Sequence, residues 1–163
     1  MAEHDRAAQD MAAAVAAMTS FQQVTQQADA KAGTMVTVHV GLAAVVSAQV
    51  GQVGAPPPTQ PLAVLFWLAT LAYVLTFTVS GYLLVQVIRP RTARYAAPNR
   101  FSLDSADHSG ANGEQLAAQM WATADALARI ADRKNGYAAR AVIWVSVMVL
   151  SAVAWLVLAG RAA

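Results

Sequence analysis

The chain of 163 residues contains no cysteine and few charged residues. Without cysteine it can form no disulfide, no thiolate metal site and no cysteine nucleophile. Charged residues make up 12% of the sequence and hydrophobic residues 57%, whereas soluble domains average about 25% charged residues. A soluble protein of this size needs more polar groups to cover its large surface. The composition therefore argues against an ordinary water-soluble domain and favours a membrane protein.

Charged residues are missing altogether from two long stretches, residues 32–88 and residues 141–160. A helix needs about 20 apolar residues to cross a bilayer, so the first stretch has room for two crossings. Glycines and four prolines within residues 51–61 separate these crossings, because both residue types interrupt helices. The sequence predicts an all-α integral membrane protein with three transmembrane helices and a cytoplasmic helical extension. The spans are expected near residues 33–50, 62–88 and 138–160.

The basic residues predict the orientation of these spans. Eight of the eleven lysines and arginines lie within residues 89–140, whereas the proline-rich loop has none. Because basic residues are enriched on the cytoplasmic side of membrane proteins, the N-terminus and the middle segment are expected in the cytoplasm and the C-terminus outside. The predicted segments are a cytoplasmic amphipathic helix (1–32), a transmembrane hairpin (33–88), a cytoplasmic loop and helix (89–137), and a third transmembrane helix with a tail (138–163).

Two amphipathic stretches are predicted on the cytoplasmic side. Apolar residues spaced three and four apart fall on one stripe of a helix. The first stripe comprises Met11, Ala14, Met18, Phe21, Thr25, Ala28 and Ala32. The second follows an N-cap at Asn112, with Gln115 three residues on, and comprises Leu116, Met120, Trp121, Ala124, Leu127 and Ala131. Few of these side chains are large, so we expect the stripes to bury each other or to pair between subunits.

Motifs of catalysis and of cofactor binding are missing from the sequence. It contains no nucleophile elbow and no histidine pair with metal-ligand spacing, and the glycines after Ser109 lack the lysine of a phosphate-binding loop. The net charge of +2 is small and topology accounts for the basic residues, so nucleic acid is not an expected partner. The sequence predicts a protein that is not an enzyme and has neither a metal nor a cofactor.

One ionisable side chain, His39, lies inside the first predicted span. An ionisable group in a span is a candidate functional site, and two interpretations stay open. His39 is either a neutral histidine hydrogen-bonded within the bundle, or a gate or proton site. It also begins a stripe of four-residue steps through Ala43, Ser47 and Gly51. Such small residues predict a close helix contact, within one chain or between subunits.

Two charged clusters precede the first and the third span. Asp29 and Lys31 belong to the first cluster, and Arg133 and Lys134 belong to the second. Lys31 and Lys134 are the only two lysines of the chain. The two spans leave the cytoplasm in the same direction, so both clusters are expected at one level. They are either topogenic charges joined by a salt bridge, or a basic collar, extended by Arg94, that holds an anionic ligand.

The same two clusters resemble segments of a known family. The string Ala28-Asp29-Ala30-Lys31-Ala32-Gly33, which leads directly into the first span, resembles the entry motif of the Pycsar effector transmembrane family (PycTM). The string Leu127-Ala128-Arg129-Ile130-Ala131-Asp132-Arg133-Lys134 resembles the second lysine-containing segment of that family. The number and order of the spans also fit, so the resemblance covers most of the chain.

The resemblance implies an antiphage role. A partner cyclase would make cyclic CMP or cyclic UMP on infection, and this effector would bind the nucleotide and impair the cell inner membrane. Phosphate contacts are then expected from Lys31, Arg94, Arg133 and Lys134, while Asp29 would orient a lysine or accept a hydrogen bond from the base. A homo-oligomer in the lipid bilayer is expected. The alternative is a ligand-independent holin-like protein or a structural subunit of a membrane complex.

Overall fold

A computed structural model describes residues 2–50, 52, 56, 61–90 and 113–162 of the chain. Nearly all of these residues belong to three helices. The helices are α1 (Ala2–Val50), α2 (Pro61–Ile88) and α3 (Gly113–Ala162). Each contains a segment that is long and apolar enough to cross a membrane. The predicted all-α fold with three membrane-spanning helices is confirmed.

The helix ends follow from the local sequence. α2 begins with Pro61, whose fixed φ suits the first turn of a helix. It ends at Ile88, two residues before Pro90, because the residue preceding a proline disfavours helical geometry. α3 has Glu114 in its first turn, where the helix dipole favours a carboxylate. Asn112, the predicted N-cap of α3, lies outside the described residues.

α1 and α3 are each more than twice as long as a bilayer crossing requires. They contain 49 and 50 residues, against about 20 for one crossing. Gly33 does not interrupt α1, which continues from the predicted amphipathic stretch into the first span. The contacts divide the chain into two compact units, and both long helices contribute to each of them. We call residues 1–28 with 89–135 the stem unit, and residues 29–88 with 136–163 the membrane unit.

In the membrane unit, α2 runs antiparallel to both other helices. On α1, His39 lies beside Ser80 in the second half of α2, and the end of α1 lines a groove with the start of α2. On α3, Met148 lies beside Ser80, and Trp155 lies beside Thr70 in the first half of α2. α1 and α3 therefore run in the same direction through the membrane unit, as predicted.

In the stem unit, the first turns of α1 lie beside the first turns of α3. A Cβ added at Gly113 would lie 3.7 Å from the Cβ of Ala7. A cavity of about 220 Å³ next to this contact is lined by Arg6 and Asp10 of α1 and by Glu114 of α3. The two predicted stripes are thus brought into one unit of a single chain. Pairing of stems between subunits stays a prediction.

The inward-facing residues of α1 and α3 follow a seven-residue repeat, with alternating steps of three and four. None of these residues is exposed, in either unit. On α1 they are Ala7, Met11, Ala14, Met18, Phe21, Thr25, Ala28, Ala32, Met35, His39, Leu42, Val46 and Gln49. On α3 they are Ala117, Met120, Ala124, Leu127, Ala131, Lys134, Ala138, Ala141, Val145, Met148, Ala152, Trp155 and Ala159. This is the repeat of left-handed coiled-coil packing, and its many alanines allow close approach of the helices.

Hydroxyl side chains within the spans are satisfied by their own helix. Thr37, Thr78, Ser146 and Ser151 each donate a hydrogen bond to the carbonyl oxygen four residues earlier, at 2.8–3.2 Å. Lipid offers no partner for a polar group, so this local bonding allows such residues to lie in an apolar segment.

The packed face of α3 corrects one member of the predicted second stripe. Trp121, assigned to that stripe, is 42% exposed, because the repeat uses its neighbour Met120. Phe66 and Trp155 are buried against each other, with ring centroids 5.8 Å apart. Ser47, assigned to the small-residue stripe, is exposed within the single chain, and a contact of this stripe between subunits stays a prediction. A stripe with four-residue steps drifts around the helix, whereas the packed face keeps a spacing of 3.5 residues.

Candidate functional site

The five residues predicted to bind an anionic ligand are distributed over both units. Asp29 and Lys31 lie on α1 in the membrane unit, where Asp29 is half-buried and Lys31 is exposed. Arg133 and Lys134 lie on α3 in the stem unit. Arg94 lies outside the described residues. The gathering of these residues into one ligand site stays a prediction, as does a salt bridge between the two clusters.

Lys134 differs from the other cations of this set because its side chain is buried. It is only 6% exposed, whereas Lys31 and Arg133 are exposed. Lys134 occupies a position of the seven-residue repeat, three residues after Ala131 and four before Ala138, both of which are also buried. Lysine is rarely buried in proteins, and a charged residue at a core position of a coiled coil reduces stability and fixes register. Lys134 therefore places a cation on the packed face of α3.

The burial of Lys134 has a signal in the sequence. Ala131 is the last apolar member of the second stripe before the charged cluster. Continuing the same alternation of three and four residues leads to Lys134, then Ala138 and Ala141, the last of which is fully buried. The charged cluster therefore lies within the repeat, and one of its cations falls on the inward face.

The predicted site residues offer donors suited to an anion. The ammonium group of Lys134 has three N–H donors, and the guanidinium group of Arg133 has a planar fork that matches phosphate oxygens. Lys31 and Arg133 are accessible to a solute in the arrangement described. Lys134 is largely covered, so it is less accessible to a ligand than Lys31 or Arg133 in the arrangement described.

A second polar cluster, which we call the histidine node, joins all three helices of the membrane unit. His39 is 8% exposed and Ser80 is fully buried. Nδ1 of His39 lies 3.3 Å from Oγ of Ser80, and the imidazole ring stacks on Phe77 with centroids 4.0 Å apart and planes inclined by 22°. Oγ of Ser80 also lies 3.7 Å from Sδ of the fully buried Met148. The geometry agrees with the interpretation of His39 as a histidine bonded within the bundle.

A further polar contact joins α2 and α3. Nε1 of Trp155 donates a hydrogen bond of 3.0 Å to Oγ1 of Thr70, which itself donates to the carbonyl oxygen of Phe66 at 2.8 Å. Beside this contact the membrane unit has an apolar groove of about 410 Å³, lined by residues of all three helices. The lining residues are Val46, Val50, Phe66, Trp67, Thr70, Tyr73, Val74 and Trp155.

The side chains that the structure describes include no group of three or more His, Asp or Glu residues placed to hold a metal ion. The histidine node offers one imidazole, one hydroxyl and one thioether, and the stem cavity contains two carboxylates beside an arginine.

Comparison with known proteins identifies the family. No curated protein and no solved structure matches the chain. The model of the family described as "Pycsar effector protein domain" matches residues 13–161, a range that includes the whole membrane unit except its last two residues, and both charged clusters. It is a family of membrane effectors rather than of enzymes. The resemblance noted at the two lysine-containing strings is confirmed, and the chain belongs to the Pycsar effector family of antiphage defence proteins with a transmembrane domain.

Proposed function

We propose that this protein senses a cyclic pyrimidine mononucleotide, cyclic CMP or cyclic UMP, made by a partner cyclase, and responds by impairing the cell inner membrane. The observation that carries the proposal is the family match over residues 13–161. In this proposal the stem unit lies in the cytoplasm with the N-terminus, and the C-terminus lies outside. Lys31, Arg94, Arg133 and Lys134 contact the phosphate, and Asp29 orients a lysine or accepts a hydrogen bond from the base.

The form of α1 and α3 supports a sensor of this kind. Each helix continues without interruption from its charged cluster into an apolar span. Asp29 lies 21 residues before the end of α1, and Lys134 lies 28 residues before the end of α3. At 1.5 Å per residue these segments are about 32 Å and about 42 Å long. Both are longer than the thickness of a hydrocarbon core, about 30 Å. A rotation or shift imposed at either cluster is carried along the helix into lipid.

The burial of Lys134 indicates how ligand binding would change the helices. A ligand shifts an equilibrium only by binding one arrangement more tightly than the other. Lys134 is covered in the arrangement described, so an anion that contacts its ammonium group binds a different arrangement more tightly. Ligand binding is thereby linked to a repacking of α3 in the stem unit, and this repacking is the proposed trigger for membrane impairment, acting in a homo-oligomer.

The test is a binding panel with matched variants. Purified protein in detergent is titrated calorimetrically with cyclic CMP, cyclic UMP, cyclic AMP and cyclic GMP. We expect one pyrimidine nucleotide to bind, and Lys31→Ala, Arg133→Ala and Lys134→Ala each to weaken binding at least tenfold. Arg129→Ala is the control, because Arg129 is an exposed arginine of the same helix one turn before Arg133.

Two outcomes contradict the proposal. One is that neither pyrimidine nucleotide binds. The other is that cells expressing the protein without a cyclase are killed as quickly as cells with one, which is the behaviour of a ligand-independent holin-like protein.

A further inference from the structure

The histidine node contains the one histidine of the two charge-free stretches. His39 lies at a core position of the seven-residue repeat, within the membrane unit. Placing a polar ring in an apolar interior costs free energy unless the ring is hydrogen-bonded, and the expected cost is largest in lipid, where water does not offer an alternative partner. The node provides both a hydrogen bond and an aromatic stack for this ring.

The hydrogen bonds of the node are directional. Ser80 Oγ lies 3.1 Å from the carbonyl oxygen of Phe77, and a hydroxyl has a single proton to donate. When that proton goes to Phe77, Ser80 Oγ accepts from Nδ1–H of His39. The imidazole thus meets a serine whose orientation is fixed by its own helix, and a stacked ring from the same turn of α2.

Apart from Gln49 near its end, the remainder of the packed face of α1 in the membrane unit does not define one depth of the helix. Its nearest members before and after His39 are Ala32, Met35, Leu42 and Val46, all apolar and without a directional partner. Lipid tails are as apolar as these side chains, so the hydrophobic effect does not select one depth of α1 in the bundle. A helix displaced by one repeat would bury similar apolar groups, but would separate His39 from Ser80.

We infer that His39 is a positioning residue that fixes the depth and rotation of α1 against α2 through its hydrogen bond to Ser80 and its stack on Phe77. A polar residue at one core position sets the register of coiled coils in the same way. The link from this register to membrane impairment rests on the proposed function. Lys31 lies eight residues before His39 on the same helix, about 12 Å at 1.5 Å per residue. A ligand that moves Lys31 along the helix axis would therefore have to break the contacts of His39 with Ser80 and Phe77.

The register is measured directly by paired labels. The chain has no cysteine, so Val40→Cys and Tyr82→Cys introduce two unique sites, and both native side chains are well exposed, at 61% and 59%. Spin labels at these sites report the distance between α1 and α2 by pulsed electron resonance in lipid nanodiscs. The parent protein is expected to show one narrow distance distribution.

Three substitutions separate the hydrogen bond from the stack. Ser80→Ala removes the acceptor, His39→Phe keeps a ring on Phe77 without a hydrogen bond, and His39→Asn keeps a hydrogen-bonding group without a ring. Ser80→Ala and His39→Phe are expected to populate a second distance, with the parent register weakened about three- to eighteenfold relative to alternatives, the fold-change that corresponds to interhelical hydrogen bonds of about 0.6 to 1.7 kcal/mol. His39→Asn is expected to retain more of the parent distance than His39→Phe does.

The controls address general destabilisation. Ser146→Ala removes an exposed hydroxyl that bonds only within α3, and it is expected to leave the distance unchanged. Gly81→Ala adds a methyl group 3.5 Å from Nε2 of His39, an ordinary contact that leaves the hydrogen bond in place. The inference is overturned if Ser80→Ala and His39→Phe show the parent distribution. If the distance changes while ligand-free cells grow normally and the nucleotide still binds, the positioning role stands and the link to membrane impairment fails.

Discussion

The stem unit and the membrane unit share one packing repeat but differ in the residues that face away from it. Exposed residues of α1 are mostly polar in the stem unit, as in Gln22, Gln23 and Gln26, and mostly apolar in the membrane unit, as in Val38, Val40 and Val45. The inward residues follow the same steps of three and four in both units. Solvent thus changes the outer face of the helix, while the inner face keeps its geometry.

The two units differ in the buried polar residue that their repeat contains. In the stem unit the repeat contains a buried lysine, Lys134, and in the membrane unit it contains a buried histidine, His39. In water, apolar burial supplies the packing free energy and a charge at a core position weakens it. In lipid that driving force is missing, and a directional polar contact strengthens and orients the packing. The comparison teaches that a polar core residue weakens helix packing in the stem unit and strengthens it in the membrane unit.

The largest expected effect is on membrane insertion, when an aspartate is placed in the interior of each unit in turn. Ala152 in the membrane unit and Ala14 in the stem unit are both fully buried members of the repeat. Ala152→Asp is expected to make insertion of the third span less favourable by about 3 kcal/mol, measured with a glycosylation reporter of insertion. Ala14→Asp is expected to leave insertion unchanged, because the stem unit does not enter lipid in the proposed topology. Equal loss of insertion in both variants would contradict the comparison.

Overpacking the alanines of the stem unit is expected to have the next largest effect. Ala124 is 1% exposed, and a leucine there has no space between α1 and α3. Ala124→Leu is expected to destabilise the stem unit by about 2 kcal/mol, seen as faster hydrogen exchange of its amides. Ala122→Leu, at an exposed position of the same helix, is the matched control and is expected to leave the exchange rates nearly unchanged.

The sequence was sufficient to predict the spans and the first stripe. Missing charges over residues 32–88 and 141–160 mark the spans because a single charge in lipid is costly, and the helix ends coincide with prolines and glycines. The inward face of α1 was predicted as far as Ala32, because a spacing of three and four is preserved by any left-handed packing. The spans, the helix ends and the inward face of α1 can each be predicted from the sequence of a single helix.

Pairwise contacts were not accessible from the sequence. Ser80 lies 41 residues from His39, and many registers of α2 would bury its small residues equally well, so the partner of His39 could not be chosen. Likewise, nothing in either segment shows that Phe66 and Trp155, which are 89 residues apart, pack against each other. The ligand site is harder still, since Arg94 lies in a segment with no repeat to place it.

Removing the charge from the repeat of the stem unit is expected to have a smaller effect, on ligand binding. Lys134→Met keeps a long side chain at the buried position and removes the ammonium group that is proposed to contact the phosphate. It is expected to weaken nucleotide binding at least tenfold, about 1.4 kcal/mol, measured by titration calorimetry. Arg129→Met, at an exposed position of the same helix, is the matched control and is expected to leave binding unchanged. Undiminished binding by Lys134→Met would remove this lysine from the proposed ligand site.

The smallest expected effect tests whether the anchoring role of polar contacts in the membrane unit extends beyond the histidine node. Thr70→Val keeps the shape of the side chain but removes the acceptor for Nε1 of Trp155, and the indole is left buried in an apolar unit. The expected loss is about 0.6 kcal/mol of unfolding free energy in lipid or detergent, the mean for interhelical hydrogen bonds in membranes. Thr78→Val, whose hydroxyl bonds only to the carbonyl oxygen of Val74 in its own helix, is expected to cost less. Both substitutions remove a hydrogen bond within α2, and Thr70→Val also removes the acceptor for Trp155, so equal costs would mean that the hydrogen bond between α2 and α3 adds nothing to their packing.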